Sequence, residues 1–253
     1  SYQNDCISQY SLGIFYLSHN NINKGFNYIQ LSSYYGYWRA IFAMGYFYHQ
    51  GLFLKRNIEK AIDYYKRISS FNNQYAKNNL GVIYRNGFEG IVPKNLGLSI
   101  EYFNEAIKQK KDHVAMFNLA NIYLYEENFE TDVEKAIDLL KQSAIFGFNP
   151  SLDQLLIILI DKCGIKADLI DKYGLKTELL INEILKNEKL NEIKDLLLNR
   201  IKNSQIVTNY KNSDFVYDFT KMVWPNKSVL YQKSDNDMKK NTITSQFYEG
   251  FGF

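Results

Sequence analysis

The sequence has few of the residues that metal sites and disulfide frameworks require. Its 253 residues include two cysteines, Cys6 and Cys163, and three histidines, His19, His49 and His113. Two widely separated cysteines do not predict a disulfide framework and favour a reducing compartment, so we expect a cytoplasmic protein. The histidines occupy three unrelated positions of the repeat described below. We therefore expect no metal and no cofactor, because zinc needs three or four converging ligands.

Strong charge of one sign and long apolar runs are also absent. The 30 basic and 27 acidic residues give a net charge of +3, which predicts no nucleic-acid partner. The run LLIILI at 155–160 is too short to cross a bilayer, which takes about 18 apolar residues, so no transmembrane segment is predicted. There is no GK[ST] phosphate loop and no nucleophile with a matching base. These absences predict a protein that is not an enzyme.

What the sequence does contain is a repeated pattern over its first 160 residues. A small residue is followed four positions later by an apolar one, five positions later by Gly or Ala, and eight positions later by Tyr. The small residues are Ser8, Ala40, Ala76 and Ala115, the Gly or Ala residues are Gly13, Gly45, Gly81 and Ala120, and the tyrosines are Tyr16, Tyr48, Tyr84 and Tyr123. Positions 0, 4 and 8 share one side of a helix, so the pattern predicts a buried stripe with a close helix contact beside it.

A second helix is predicted in each copy. It starts after a residue that favours the N-cap, because its side-chain oxygen accepts a free backbone N–H. These residues are Asn21, Asn57, Asn95 and Asp132. Each stands four residues before a small residue, which is followed by large apolar ones. Every copy therefore predicts two helices joined by a loop of variable length.

The period identifies the architecture. Successive Gly positions are 32, 36 and 39 residues apart, which is typical of an α-solenoid of helix pairs. The pattern A-x-x-x-L-G-x-x-Y, a Gly-containing loop and N-x-x-K-A-x-x-Y-Y resembles the Sel1-like repeat family over residues 5–160. The tetratricopeptide repeat is the nearest competitor, and the variable inter-helix loops favour the Sel1-like assignment. The resemblance implies an all-α fold, an α-α superhelix with a helical C-terminal cap.

Three regions are predicted along the chain. Residues 1–162 form the array of four repeats with a degenerate fifth first helix. Residues 163–207 form a helical cap over the last repeat. Residues 208–253 form an aromatic and polar tail, which is either loosely ordered or docks through its aromatic side chains.

The candidate binding residues lie on the first helix of each copy, opposite the predicted stripe. In stacked helix pairs this side lines the concave face. Asparagine amides there suit the backbone of an extended peptide, and an arginine suits a carboxylate. The candidates are Phe42, Tyr46, His49, Asn78, Asn79, Arg85, Phe117, Asn118, Asn121 and Tyr125, with Tyr10 and Leu17 at the same angles in the first copy. The alternative interpretation is that this face binds no partner and is either exposed to solvent or covered by the cap.

The resemblance implies an adaptor or scaffold that binds a protein or peptide in the concave groove. A rigid groove would capture a peptide or helix with little ordering of the protein itself. The alternative is a regulatory repeat module of a larger signalling protein, such as one with a kinase domain. The sequence predicts neither the partner's identity nor the oligomeric state.

Overall fold

The computed structural model describes residues 2–71, 73–127, 129–162, 186 and 188–203, which are mostly helical. The helices are α1 (Tyr2–Ser18), α2 (Ile22–Tyr34), α3 (Trp38–Gln50), α4 (Ile58–Ser69), α5 (Gln74–Asn86), α6 (Leu96–Lys110), α7 (His113–Tyr125), α8 (Val133–Ile145), α9 (Asn149–Lys162) and α10 (Lys194–Asn203). A 3₁₀ helix, Glu188–Ile193, precedes α10. These residues contain no β-strand, only an isolated bridge between Phe88 and Val92.

The predicted N-caps of the second helices are confirmed. The side chains of Asn21, Asn57, Asn95 and Asp132 accept hydrogen bonds from the backbone N–H groups three residues later, over 3.4, 2.9, 2.9 and 3.0 Å. Each cap residue also donates its own N–H to the carbonyl of the repeated tyrosine in the preceding helix, over 2.8 to 3.1 Å. The same bond therefore closes every helix pair, whatever the length of the loop between the two helices.

Glycine permits the close helix contact that the repeat predicts. A Cβ atom on Gly45 of α3 would lie 2.7 Å from Cε1 of Tyr65 in α4. A Cβ atom on Gly13 of α1 would lie 2.7 Å from Cγ1 of Ile29 in α2. Real Cβ atoms do not approach this closely, so in the pairs α1–α2 and α3–α4 the two helices touch where the first helix has no side chain.

The described residues fall into two compact units that divide within α6. Those up to Tyr102 belong to the first unit and those from Phe103 onward to the second. The core of the first unit is built from α1 to α5 and the loop after α5, with Phe42, Phe47 and Tyr65 fully buried. The second has its own core from α7 to α10, centred on Leu140 and Leu156. The predicted region boundaries at 162 and 207 stay predictions.

The last described helices belong to the second unit and pack against its helices α8 and α9. Leu190, Ile193 and Leu197 are buried, as their predicted stripe requires. Arg200 of α10 donates two hydrogen bonds, both of 2.7 Å, to the carboxylate of the fully buried Asp153 in α9. The helices predicted within 163–185 and the tail at 208–253 lie outside the described residues.

Candidate functional site

The candidate residues of the first unit lie on α3 and α5. Gly81 and Tyr84 of α5 contact α6, and Asn79 contacts α4. At 3.6 residues per turn, Asn78, Val82 and Arg85 lie within about 60° of one another, on the side of α5 between Gly81 and Asn79. The equivalent positions of α3 are Phe42, Tyr46 and His49. We call these six residues the first-helix face.

Much of the first-helix face is buried. Phe42 and Asn78 are 0% exposed, Arg85 is 3% exposed, and Tyr46 is half-buried. Phe42 contacts Tyr65 and Tyr75 edge-on or tilted, with ring centroids 5.6 and 6.2 Å apart. The structure therefore brings the predicted residues together on neighbouring first helices, but covers most of them.

Asn78 and Asn79 form a hydrogen-bonded pair inside the fold. The Asn78 amide donates to Oδ1 of Asn79 over 3.3 Å, and the Asn79 amide donates to the hydroxyl of Tyr65 over 3.2 Å. Burial raises the pKa of Tyr65, so its phenol stays neutral. Asn79 thus ties α5 to α4, whereas Asn78 lies on the first-helix face and is positioned by its neighbour.

His49 is a buried neutral imidazole. It is 4% exposed, with its ring 6.1 Å from Tyr65 and 6.3 Å from Phe88 in edge-on geometry. Burial, assisted by the charge of Arg56, lowers its pKa from 6.5 to about 3. Its Nδ1 atom has no hydrogen-bond partner among the described residues. The Arg56 guanidinium lies over the Phe88 ring at 4.7 Å and donates to the His49 carbonyl, which fixes the loop beside the histidine.

One buried cation was not predicted from the sequence. Lys77 of α5 is 4% exposed and lies one residue before Asn78. Lysine is almost never fully buried without a compensating group, and no periodic pattern in the sequence marks it. Together with Arg85, it gives α5 two buried positive charges.

The four remaining candidates belong to the second unit. Phe117, Asn118 and Asn121 of α7 are fully buried, and the Phe117 ring packs edge-on against Phe148 at 5.5 Å. Tyr125 is half-buried, and its hydroxyl accepts a hydrogen bond from the Gln154 amide of α9. In the structure, these residues line the interior of the second unit.

The repeated tyrosines are less buried than a core stripe predicts. All four are half-buried, and three of them stack on a tyrosine of the following helix, with ring centroids 5.6 to 5.7 Å apart in the pairs Tyr16–Tyr28, Tyr48–Tyr64 and Tyr84–Tyr102. A lysine ammonium lies over the rings of Tyr16, Tyr48 and Tyr123 at 5.1 to 5.5 Å. Stacking and cation–π contacts thus stabilise the end of each helix pair at which the loop lies.

The described residues contain no group of three or more His, Cys, Asp or Glu side chains that could hold a metal ion. His19, His49 and His113 belong to three different first helices or their ends. In the part of the chain that the structure describes, no helix is both long and apolar enough for a membrane span.

Comparison with solved structures shows the same fold. A Sel1 repeat protein from Oxalobacter formigenes matches with a TM-score of 0.55 at 23% identity, over 62% of this chain and 64% of that one. A protective antigen of uropathogenic Escherichia coli with an SLR fold matches with a TM-score of 0.56 at 23% identity, over 75% of this chain and 41% of that one. This chain therefore spans less than two thirds of either relative.

The family model of the Sel1 repeat matches residues 38–70, 74–111 and 113–145. These segments are the pairs α3–α4, α5–α6 and α7–α8, and they confirm the predicted all-α repeat fold. The first and the degenerate fifth copy of the predicted pattern lie outside the matched segments. The chain therefore contains three Sel1 repeats over residues 38–145 and shares the fold of Sel1 repeat proteins.

Proposed function

We propose that this chain is a protein-binding adaptor that holds a peptide or a helix on its first-helix face. The observation that carries the proposal is the chemistry of α5 on the side between its contacts with α6 and α4. That side carries the buried Asn78 amide and Arg85 guanidinium, and the equivalent side of α3 carries the half-buried Tyr46. Groups of this kind hydrogen-bond a peptide backbone and a carboxylate.

Pre-organisation favours binding at this face. Asn78 is held by Asn79, which is itself held by Tyr65, so a partner would meet an amide already fixed in place. Aromatic anchors lie on the neighbouring helix at Phe42 and Tyr46. A face fixed in this way loses little conformational entropy when a partner binds. In the second unit, the equivalent candidates Phe117, Asn118 and Asn121 are fully buried, and Tyr125 is half-buried.

The proposal includes the class of partner and the compartment. A balanced charge of +3 favours a protein or peptide partner over a nucleic acid. The burial of Cys6 inside the first unit is compatible with the reducing cytoplasm. Binding rather than catalysis is the proposed activity.

Selection from a random peptide library on the intact chain tests the proposal. Enriched peptides should bind the parent chain and should bind a Tyr46→Ser variant more than about tenfold more weakly, because an aromatic anchor is lost. Tyr34→Ser is the matched control, since Tyr34 is 78% exposed at the end of α2, away from the first-helix face. If no peptide is enriched, or if both variants lose binding equally, the proposed face is wrong.

A further inference from the structure

The turns between successive helix pairs expose large apolar side chains. Within two residues of the end of the second helix, the first copy has Tyr34 and Tyr35, the second has Phe71, and the fourth has Ile145 and Phe146. Phe71 is 83% exposed and Tyr34 is 78% exposed, more than any other large hydrophobic side chain of the described residues. Because this exposure recurs at one position of the repeat, it indicates an interaction surface, which singly scattered residues would not.

In the first unit, two of these turns lie side by side. The Arg67 guanidinium at the end of α4 donates a hydrogen bond to the Ser33 carbonyl at the end of α2 over 3.3 Å. Trp38 and Tyr75, in the first turns of the two following helices, stack with ring centroids 6.4 Å apart. The exposed apolar side chains of the two turns therefore form one surface, which we call the turn patch. Its members are Leu31, Tyr34, Tyr35 and Phe71.

Basic side chains surround the turn patch. Residues 31–41 and 64–76, which contain the two turns, carry Arg39, Lys66 and Arg67, all exposed, and no Asp or Glu. Two acidic residues belong to the adjoining helix turns, Asp5 in the first turn of α1 and Asp63 one turn before Arg67. Cations therefore outnumber carboxylates around the turn patch, which favours an anionic partner.

The second unit has the same combination at its own turns. Ile145 and Phe146 at the end of α8 are 49% and 44% exposed, and the Lys111 ammonium lies over the Phe146 ring at 5.9 Å. Lys108, near the end of α6, is exposed as well. Residues 139–150 carry Lys141 and no Asp or Glu. Each unit thus joins exposed apolar side chains to lysine or arginine at the same repeat position.

A lipid surface fits this combination better than a peptide or a nucleic acid does. The side chains of the turn patch project from helix ends, and a bilayer surface admits projecting side chains without a matching groove. Aromatic residues favour the membrane–water interface, and Lys and Arg beside them attract anionic headgroups. The aliphatic Leu31 and Ile145, 41% and 49% exposed, gain from contact with lipid but do not stack on nucleic-acid bases.

We propose that the turn patch binds the surface of an anionic lipid membrane. The chain lies on the bilayer, with the rings of the turn patch among the headgroups and the neighbouring cations at the lipid phosphates. The balanced charge of the whole chain does not oppose this binding, because only charges within about 10 Å of the surface interact strongly with it. The inference goes beyond the proposed function, since the first-helix face keeps its peptide while the turn patch holds the chain at a membrane.

Co-sedimentation of the intact chain with sucrose-loaded vesicles tests this inference. One set of vesicles is phosphatidylcholine alone, and the other contains about one third phosphatidylserine, which supplies a negative surface potential. The test variants change exposed side chains of the first unit and are Phe71→Ser, Tyr34→Ser and Lys66→Glu. Ile91→Ser is the matched apolar control, because Ile91 is 53% exposed in the loop after α5. Lys55→Glu, which changes an exposed lysine in the loop after α3, is the matched charge control.

The parent chain should bind the phosphatidylserine vesicles and bind the neutral vesicles more than about fivefold more weakly. Phe71→Ser and Tyr34→Ser should each weaken binding about tenfold, because a ring no longer enters the interface. Lys66→Glu should weaken it more than about tenfold, because an attraction becomes a repulsion. Both controls should bind like the parent. Every variant must keep the helical circular dichroism and the Tm of the parent, and two apolar variants guard against one that fails to fold.

Equal binding to both kinds of vesicle, no binding, or an equal loss in the controls would overturn the inference. Binding of single-stranded poly(U) in place of vesicles, weakened by the same test variants, would also overturn it, because the partner would then be a nucleic acid. Its failure is distinct from that of the proposed function. Tyr46→Ser should weaken the binding of library peptides and leave vesicle binding unchanged, whereas Tyr34→Ser should do the reverse.

Discussion

At the residue scale, His49 links the packing of α3 to the pH of the medium. Its imidazole is buried between Tyr65 and Phe88, and desolvation, followed by the charge of Arg56, lowers its pKa to about 3. In the unfolded chain a histidine titrates near 6.5. Between these two values the unfolded state binds a proton that the folded state does not. The stability that depends on neutral His49 is therefore complete above about pH 6.5 and is lost as the pH falls towards 3.

This linkage predicts a loss of about 1 kcal/mol in the free energy of unfolding between pH 7 and pH 5.5. Urea unfolding at the two pH values measures it. A His49→Leu variant should lose less stability over this interval than the parent, since Leu takes up no proton. His19→Gln, which changes an exposed histidine, is the control substitution. If the free energy of unfolding of the His49 variant falls as much between pH 7 and pH 5.5 as that of the parent, the imidazole is protonated in the folded state.

At the element scale, the contact between the two helices of a pair depends on the absence of a side chain. Gly45→Ala would place a methyl group 2.7 Å from Cε1 and 2.8 Å from Cδ1 of the fully buried Tyr65 ring, and 3.3 Å from Cβ of Tyr64. Alanine favours the helix by about 1 kcal/mol over glycine. The overpacking of a closed core costs more, about 1 to 3 kcal/mol. Gly45→Ala should therefore lower the free energy of unfolding of the chain.

The matched control for this substitution is Gly97→Ala in the first turn of α6. A Cβ atom there meets only Asn95 Oδ1, at 3.5 Å, which is an ordinary contact. The helix preference is then unopposed, so this variant should be as stable as the parent or more stable. Thermal and urea unfolding of both variants measure the difference. A Gly45 variant that matches the Gly97 variant would refute the close contact between α3 and α4.

The helices and their N-caps could be predicted from the sequence because the interactions that form them join residues close together in the chain. Asn57 and Asp132 cap helices through bonds to residues three positions away, and a short window of sequence contains both partners. The small residue, the Gly and the Tyr of each first helix follow the helical period, which indicates the buried side directly. The stripe at Leu190, Ile193 and Leu197 was predictable for the same reason, although it begins in a 3₁₀ turn rather than in an α-helix.

The environment of the candidate face could not be predicted in the same way. The period places Asn78 and Arg85 on one side of α5, between its contacts with the two second helices, but the burial of these side chains depends on segments distant in the chain. Lys77 shows the limit most clearly, because nothing in its neighbourhood distinguishes it from a solvated lysine. The stacked pairs, such as Tyr48 with Tyr64, also depend on the meeting of two helices, so the sequence indicated an apolar stripe and not its half-exposed edge.

At the scale of the whole molecule, each first helix of the Sel1 repeats has two sides that differ in composition. One side carries the small and apolar residues that contact the second helices and hold the fold. The other carries Tyr46, Asn78 and Arg85 in the first unit, which we propose as the surface for a peptide. On this proposal, fold and recognition depend largely on different sides of the same helices.

Hydrogen–deuterium exchange of the intact chain, with and without a peptide selected from the library, tests this division most directly. A bound peptide should slow exchange in α3 (Trp38–Gln50) and α5 (Gln74–Asn86) and leave α2 (Ile22–Tyr34) unchanged, because only the first helices present the proposed face. Slower exchange in α2 or α4 (Ile58–Ser69) without any change in α3 and α5 would contradict the account.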